Sequence, residues 1–277
     1  MTIDEIISNA IIEDVKNNDH TSSAVVDQDI TESANLLVKE NGILAGLEIA
    51  KKVFKVIDPD LCFKKYKKDG EIIKPGDIAF TVSGNARAIL KSERLALNFM
   101  QRMSGIATKT AKYVELVKGT GVKILDTRKT TPNMRVLEKL AVKTGGGCNH
   151  RMGLYDMIMI KDNHVDFAGG IKKAIQKANE YLEKHDLDLK IEIEVRNLAE
   201  LKEVLQTGNV DIIMLDNFAL PELKKAVKMV NGKYKTEASG GITEDSIRRV
   251  ALCGVDYISV GALTHHIKSL DMSLKAI

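Results

Sequence analysis

The segment KTGGGCNHRMG, residues 143–153, places three consecutive glycines shortly before His150 and Arg151, with Cys148 and Asn149 between them. Glycine lets the backbone approach another group closely. A guanidinium binds carboxylates or phosphates through paired hydrogen bonds, and an imidazole can hold a proton or a metal ion. The pattern therefore fits a phosphate cradle, a metal site, or a flexible loop with two solvated polar neighbours. The segment by itself leaves these three alternatives open.

Other cations and carboxylates follow apolar runs elsewhere in the chain. The candidate anion-binding residues are Arg128, Lys129, His150, Arg151 and Lys161, with Thr127 beside them and Arg94 contributed by a different part of the chain. Several cations at the ends of neighbouring strands need anionic partners if they are buried, so we favour ligand binding over a solvated surface. Glu194 and Asp216 could accept hydrogen bonds from ribose hydroxyls or hold Mg²⁺ through water, or they could pair with these cations.

These residues are positioned by six apolar, strand-like runs, with amphipathic stretches between them. The runs begin at Lys123, Met157, Lys190, Asp211, Lys235 and Asp256. Repeated strand–helix units predict parallel strands, in a barrel or in a doubly wound sheet. Each run ends in polar or glycine residues, and functional groups at successive carboxyl ends are typical of a TIM-type barrel mouth. We therefore predict a TIM-like α/β barrel, and six clear strands leave its completeness open.

Two glycine-containing stretches end the last two strands. They are Ser239-Gly240-Gly241 and Val260-Gly261-Ala262. In barrels, loops at these positions often bind phosphate through bare backbone N–H groups. Each stretch is a weak signal alone, and the pair predicts a phosphate site.

The region before the barrel predicts a smaller mixed α/β sandwich domain. Thr2 and Glu5 match a capping box ahead of an amphipathic helix. Short strands with Asp-Gly and Pro-Gly turns follow, and then a helix from about Arg87 to Met103 that Gly105 interrupts. We place this domain at residues 1–108 and the catalytic barrel at residues 109–265, with residues 266–277 a candidate to pack on the first domain.

Charge and composition limit the class of partner. The net charge is +3, but residues 123–164 contain eight Lys/Arg against four Asp/Glu. Aromatic residues make up only 4% and Trp is absent, which argues against a nucleic-acid surface. A concentrated basic region suits a small, highly anionic ligand.

No signal-like or membrane-length apolar run is present, and the three cysteines lack CxxC spacing, so we expect a cytoplasmic protein without membrane contact or structural zinc.

The segment DTRKTTPNMRVLEKLAVKTGGGCNHRMGLYDMIMIKDNH, residues 126–164, closely resembles the signature stretch of the quinolinate phosphoribosyltransferase family. SERLALNFMQRMSGIAT, EIEV, MLDNF, EASGGI and ISVGALTH resemble further segments in the family's order, so the resemblance covers nearly the whole chain. One departure is Asn133, where the family usually has glycine; asparagine tolerates a left-handed turn.

The resemblance implies an enzyme that makes nicotinate mononucleotide, pyrophosphate and CO₂ from quinolinate and phosphoribosyl pyrophosphate, using Mg²⁺. It implies quinolinate contacts from Arg94, Arg128, His150, Arg151 and Lys161, and a ribose and metal side at Glu194 and Asp216. The 5′-phosphate would lie at Ser239, Gly240, Gly241, Val260, Gly261 and Ala262. Lys129, Lys161, Glu194 and Asp216 are the candidate catalytic residues. The resemblance also implies a homodimer with shared active sites, or a hexamer built as a trimer of such dimers.

Three rival functions remain compatible with the residues alone. They are a phosphoribosyltransferase acting on another anionic ring, an aldolase that forms a Schiff base on Lys161, and a non-catalytic anion-binding protein. The aldolase requires a depressed lysine pKa, which a site crowded with cations could supply.

Overall fold

The structure is a computed structural model that describes residues 1–277. The helices are α1 (Ile3–Val15), α2 (His20–Val25), α3 (Leu47–Ile57), α4 (Ala86–Leu116), α5 (Arg135–Thr144), α6 (Asp162–Ala168), α7 (Ile171–His185), α8 (Leu198–Thr207), α9 (Leu220–Val230), α10 (Glu244–Ala251) and α11 (Ala262–His265). The strands are β1 (Thr31–Val38), β2 (Gly42–Ile43), β3 (Cys62–Lys65), β4 (Ile72–Ile73), β5 (Ile78–Asn85), β6 (Lys123–Leu125), β7 (Ile158–Ile160), β8 (Ile191–Val195), β9 (Ile212–Asp216), β10 (Lys235–Ser239), β11 (Tyr257–Ser259) and β12 (Met272–Ala276). None of the helices combines the length and the apolar character needed to span a bilayer.

Residue contacts divide the chain into two compact units. The first unit contains residues 1–111, 129–146 and 262–277, and the second contains residues 112–128 and 147–261. By these contacts residues 129–146 and 262–265 belong with the N-terminal residues, and the domain boundary at residues 108–109 stays a prediction. The ion pair of Arg102 with Glu138 and the close approach of Gly145 to the carbonyl of Ala107 join residues 129–146 to α4, and apolar periodicity does not reveal such contacts.

The first unit is built on an antiparallel sheet in the order β12-β1-β5-β3. The C-terminal strand β12 pairs along β1, with Leu36 opposite Leu274. Helix α3 covers this sheet through Phe54, whose ring meets Phe80 edge-on at 5.8 Å, while Phe63 and Phe80 stack at 4.3 Å. Aromatic pairs of this kind add to the free energy gained by burying the rings.

Helix α4 is longer than the sequence indicates. We predicted a helix interrupted at Gly105, but α4 continues through this residue to Leu116. That prediction is wrong because Gly105 serves close packing and not a break. A Cβ at this position would lie 2.2 Å from the carbonyl oxygen of Lys268, in the segment that leads to β12. Only glycine leaves room for that backbone.

The second unit contains a six-stranded parallel sheet in the order β6-β11-β10-β9-β8-β7. The first strand of the unit, β6, lies beside the last, β11, as in a TIM-like barrel. No strand pairing joins β6 to β7, and a single parallel bridge from Leu125 to Cys148 extends the β6 edge. The six predicted strands are therefore confirmed, and the barrel is not closed by strand pairing.

Candidate active site

The glycine-rich segment lies along the edge strand β6 of the second unit. The N–H of Cys148 donates to the carbonyl of Ile124 at 2.8 Å, and the N–H of Asp126 donates to the carbonyl of Cys148 at 3.2 Å. The carboxylate of Asp126, itself buried, accepts from the N–H of His150 at 2.9 Å. The chain after the glycines thus acts as a short added strand that fixes the position of His150.

The imidazole of His150 points towards two buried carboxylates. Its Nε2 lies 3.0 Å from a carboxylate oxygen of Glu192 and 3.4 Å from one of Glu237, and both glutamates are fully buried. Its Nδ1 accepts the N–H of Arg151 at 2.7 Å. Both ring nitrogens therefore face protein groups, and the direct contact with a ligand carboxylate expected of His150 stays a prediction.

This cluster of His150, Glu192 and Glu237 retains a proton at neutral pH. Burial alone would lower the pKa of His150, but hydrogen bonds with Glu192 and Glu237 outweigh it and raise the pKa to about 10. Burial also raises the pKa of Glu192 to about 7, against the opposing hydrogen bond from His150. Because Nδ1 accepts the N–H of Arg151, the retained proton lies on the side of Nε2 and the carboxylates.

The same three side chains have the spacing of a metal site, with ligand atoms within 4.8 Å of one another. The short distances are equally those of an imidazole hydrogen-bonded between two carboxylates, and that explanation needs no ion. The sequence pattern gave no reason to select Glu237. Glu192 shares a strand face with Glu194, and the alternation of β8 was its one signal.

Two guanidinium groups lie close enough to influence each other. The pKa of Arg151 is lowered, first by burial and then by the charge of Arg128, and the charge of Glu192 opposes this. One guanidinium N–H of Arg151 donates to the carbonyl of Met157 at 3.2 Å, which limits how far the side chain can move. Two neighbouring guanidinium groups form a site that an anion would stabilise.

A pair of carboxylates ends the neighbouring strands β8 and β9. The pKa of Glu194 is raised, first by burial and then by the negative charge of Asp216, while the charge of Lys161 lowers it. Asp216 accepts a hydrogen bond from the side-chain amide of Asn217 at 2.6 Å. Two half-buried carboxylates with a lysine nearby fit the oxygen ligands that Mg²⁺ prefers, because a cation would relieve their mutual repulsion.

The predicted phosphate loop follows β10 and has the required backbone. Gly240 and Gly241 both adopt positive φ angles, +94° and +58°. A Cβ at Gly240 would collide with the amide of Asn217, whereas the space around Gly241 is open. Helix α10 begins three residues after Gly241, following its N-cap Thr243. Bare N–H groups ahead of a helix N-terminus are suited to an anion.

Asn217 is a site residue that sequence reasoning missed. It adopts a left-handed φ of +54°, and its amide both reaches Asp216 and covers Gly240. Its N–H donates to the carbonyl of Ser239 at 2.9 Å. The asparagine directly after the strand-end aspartate was the available signal, because Asn is enriched at left-handed positions.

The remaining predicted site residues have simpler surroundings. Thr127 follows Asp126 in the second unit, and Val260 is buried with its N–H donating to the carbonyl of Leu125 at 3.0 Å. Gly261 follows Val260 at the end of this unit. Arg94 and Lys129 are exposed residues of the first unit, and Ala262 begins α11 in that unit. The structure thus places the acidic pair, the two guanidinium groups and the glycine loop in the second unit.

Comparison with known proteins gives a consistent result along the chain. The family model described as the N-terminal domain of quinolinate phosphoribosyl transferase matches residues 19–104. The model of the C-terminal domain of the same family matches residues 106–275.

Individual relatives cover nearly the whole chain. A tobacco (Nicotiana tabacum) protein named quinolinate phosphoribosyltransferase [decarboxylating] 2a, mitochondrial, is 44% identical over 96% of this chain and 80% of its own length. A Bacillus subtilis protein named probable nicotinate-nucleotide pyrophosphorylase [carboxylating] is 41% identical over 99% of this chain and 93% of its own length. The crystal structure of NadC from Streptococcus pyogenes superimposes with a TM-score of 0.94 at 41% identity, covering 99% of this chain and 97% of that one.

Proposed function

Because the chain belongs to the quinolinate phosphoribosyltransferase family, we propose that it transfers phosphoribosyl from phosphoribosyl pyrophosphate to quinolinate with loss of CO₂. The products are nicotinate mononucleotide, pyrophosphate and CO₂, a step in NAD biosynthesis. The observation that carries this proposal is the arrangement of the second unit, which contains two neighbouring guanidinium groups and, at the ends of the adjacent strands β8 and β9, a carboxylate pair. One substrate is a dicarboxylate and the other carries phosphates and a diol, which these groups complement.

The guanidinium groups would bind the two carboxylates of quinolinate. Arg151 is half-buried and held by Met157, so its fork is oriented before the substrate arrives. Arg128 lies close enough to depress the pKa of Arg151, so a dianion between them would remove a repulsion and gain paired hydrogen bonds. Lys161 and Arg94 are proposed to complete the anion site, with Thr127 beside it.

The carboxylate pair and the glycine loop would bind the second substrate. Glu194 and Asp216 would accept hydrogen bonds from the ribose hydroxyls and would hold Mg²⁺, directly or through water. When bound, Mg²⁺ neutralises charge on the pyrophosphate. The N–H groups of residues 239–241 receive the 5′-phosphate, with residues 260–262 beside it, and the open space at Gly241 accommodates it.

The reaction needs positioning more than acid–base chemistry. The pyridine nitrogen attacks C1 of the ribose as the bond to pyrophosphate breaks, through an oxocarbenium-like state. Lys129 stabilises the departing pyrophosphate. The 2-carboxylate then leaves as CO₂, the electron pair of the broken bond stays on C2 beside the positively charged ring nitrogen, and a proton from water binds there to give nicotinate mononucleotide. No side chain acts as a strong base, and holding the two substrates in line supplies much of the rate.

We infer further that the enzyme is a homodimer with shared active sites, or a hexamer built from such dimers, and that it acts in the cytoplasm. The support for the dimer is the family resemblance; the site residues divide between the two compact units, with Arg94 and Lys129 in the first and Arg128, Arg151 and Lys161 in the second.

Purified protein given quinolinate, phosphoribosyl pyrophosphate and Mg²⁺ should release pyrophosphate and CO₂ in equal amounts. Nicotinate is the matched control substrate, since it lacks the 2-carboxylate and leaves a guanidinium unpaired. Its kcat/KM should be lower by roughly 10⁴. Comparable use of nicotinate would assign the chain to another phosphoribosyltransferase activity. Trapping of a Schiff base on Lys161 by borohydride would indicate an aldolase. Quinolinate binding without pyrophosphate release would indicate a non-catalytic binding protein.

A further inference from the structure

A hydrogen-bonded network in the first unit surrounds the backbone at Lys129. Its members, Thr264, Arg102 and Glu138, are not among the residues proposed to bind substrate. The side-chain hydroxyl of Thr264 donates to the carbonyl oxygen of Lys129 at 2.8 Å. Thr264 is only 1% exposed, so this hydrogen bond is sheltered from competing water. The carbonyl of Lys129 is therefore fixed while its side chain remains exposed.

Arg102 and Glu138 hold the loop on the other side of Lys129. Two guanidinium nitrogens of Arg102 donate to one carboxylate oxygen of Glu138, at 2.8 and 2.5 Å, and Glu138 is fully buried. The same guanidinium donates to the hydroxyl of Thr131 at 2.7 Å and lies 3.5 Å from the carbonyl of Thr264. The second carboxylate oxygen of Glu138 accepts the N–H of Thr131 at 3.3 Å.

We infer that Arg102, Glu138 and Thr264 are positioning residues that orient the loop of Lys129, residues 129–134, for its step at the pyrophosphate; this rests on the proposed function. The loop has no regular secondary structure of its own, and it contains the left-handed Asn133. Its geometry is set by contacts to α4 and α11. A loop that must place one ammonium group at a leaving group requires such bracing, because a displacement of about 1 Å can cost on the order of a hundredfold in rate.

The test compares Thr264→Val, which deletes the hydroxyl, with Thr264→Ser, which retains it. Thr110→Val is the matched control. Thr110 is likewise buried, and its hydroxyl donates to a backbone carbonyl, that of Ile106, at 2.8 Å, but it is not among the residues that brace the loop. We expect Thr264→Val to lower kcat for pyrophosphate release about tenfold while the Kd of quinolinate is unchanged. Thr264→Ser should restore kcat, and Thr110→Val should leave it near the wild-type value.

A second readout does not depend on activity. Hydrogen exchange of the Thr131 amide, which donates to Glu138, should be about tenfold faster in Thr264→Val than in the wild type, and near normal in Thr264→Ser. Equal exchange and equal kcat in Thr264→Val and wild type would overturn the inference, as would the same loss in Thr110→Val. If the wild type releases no pyrophosphate, the proposed function fails, while the exchange rates still report whether the network orders the loop.

Discussion

His150 makes contacts with protein groups that its neighbours in sequence do not suggest. It follows three glycines and precedes an arginine, which predicts a ligand contact. In the structure its ring lies between the backbone of Arg151 and the buried carboxylates of Glu192 and Glu237. The histidine thus connects the buried carboxylates of Glu192 and Glu237 to the backbone of Arg151. The sequence could not reveal this, because fully buried glutamates contradict the usual burial preference.

This cluster predicts a specific pH dependence of stability. The pKa of His150 is raised to about 10 in the folded protein, above the unfolded value of 6.5, so its contribution is complete below pH 6.5 and is lost as the pH rises towards 10. The raised pKa of Glu192 likewise lowers the free energy of unfolding as the pH rises from 4.5 to 7. Urea unfolding between pH 7 and 9 should therefore show the free energy of unfolding falling, by at most ~1.4 kcal/mol per pH unit.

The variant His150→Gln is the control for that measurement. Glutamine keeps a hydrogen-bonding side chain but does not titrate, so the contribution of the histidine disappears, while Glu192 loses its cation and its pKa rises further. His150→Gln is therefore compared with the same change combined with Glu192→Gln and Glu237→Gln, in which no group of the cluster titrates and the slope of stability against pH between 7 and 9 should largely disappear. An unchanged slope in this triple variant would mean that groups outside the cluster are responsible.

Asn217 carries the second prediction at this scale. Glycine tolerates its left-handed φ of +54°, so Asn217→Gly removes the amide that holds Asp216 without straining the backbone. We expect kcat/KM for phosphoribosyl pyrophosphate to fall about tenfold with unchanged quinolinate affinity by calorimetry. Asn231→Gly is the matched control, since Asn231 is also left-handed, at φ +47°, and ends α9. A loss of the same size in both variants would contradict a role for the amide.

At the scale of elements, the strands of the second unit were predictable and the long helix was not. Strands β6 to β11 begin within one residue of their predicted starts, because each combines an apolar run with a polar end. Asn133 adopts the left-handed turn expected of it, at φ +65°. Helix α4 was cut short in prediction because Gly105 resembles a helix breaker. The glycine is required at position 105 because the backbone of Lys268 packs against it. Lys268 is more than a hundred residues away in the sequence, so the local pattern cannot show this contact.

Gly105→Ala tests this explanation of α4. Helix propensity favours alanine over glycine by about 1 kcal/mol, so a merely tolerated glycine would give a more stable variant. The Cβ would instead lie 2.2 Å from the carbonyl of Lys268, and overpacking of this kind costs about 1–3 kcal/mol. We expect a net loss in the free energy of unfolding. Asn98→Ala, at an exposed position of α4, should be neutral or slightly stabilising, and a stabilising Gly105→Ala would refute the packing explanation.

At the scale of the whole molecule, the distribution of the site residues between compact units leads to a test of assembly. Arg94 belongs to the first unit, and Lys161 belongs to the second. If each active site takes Arg94 from one subunit and Lys161 from the other, Arg94→Ala and Lys161→Ala damage different halves of a shared site. Each variant alone should be inactive, because every site in its dimer carries one lesion.

Mixing the two inactive variants should then restore activity. A mixed dimer has one site built from the intact Lys161 of one subunit and the intact Arg94 of the other, while its second site carries both lesions. Random exchange makes half of the dimers mixed, so about a quarter of wild-type pyrophosphate release should return. If Arg94 instead serves its own chain, every site in the mixture keeps a lesion, and activity would stay at the level of the separate variants after full subunit exchange. Wild-type protein diluted with either variant, carried through the same exchange, shows whether subunits have reassorted.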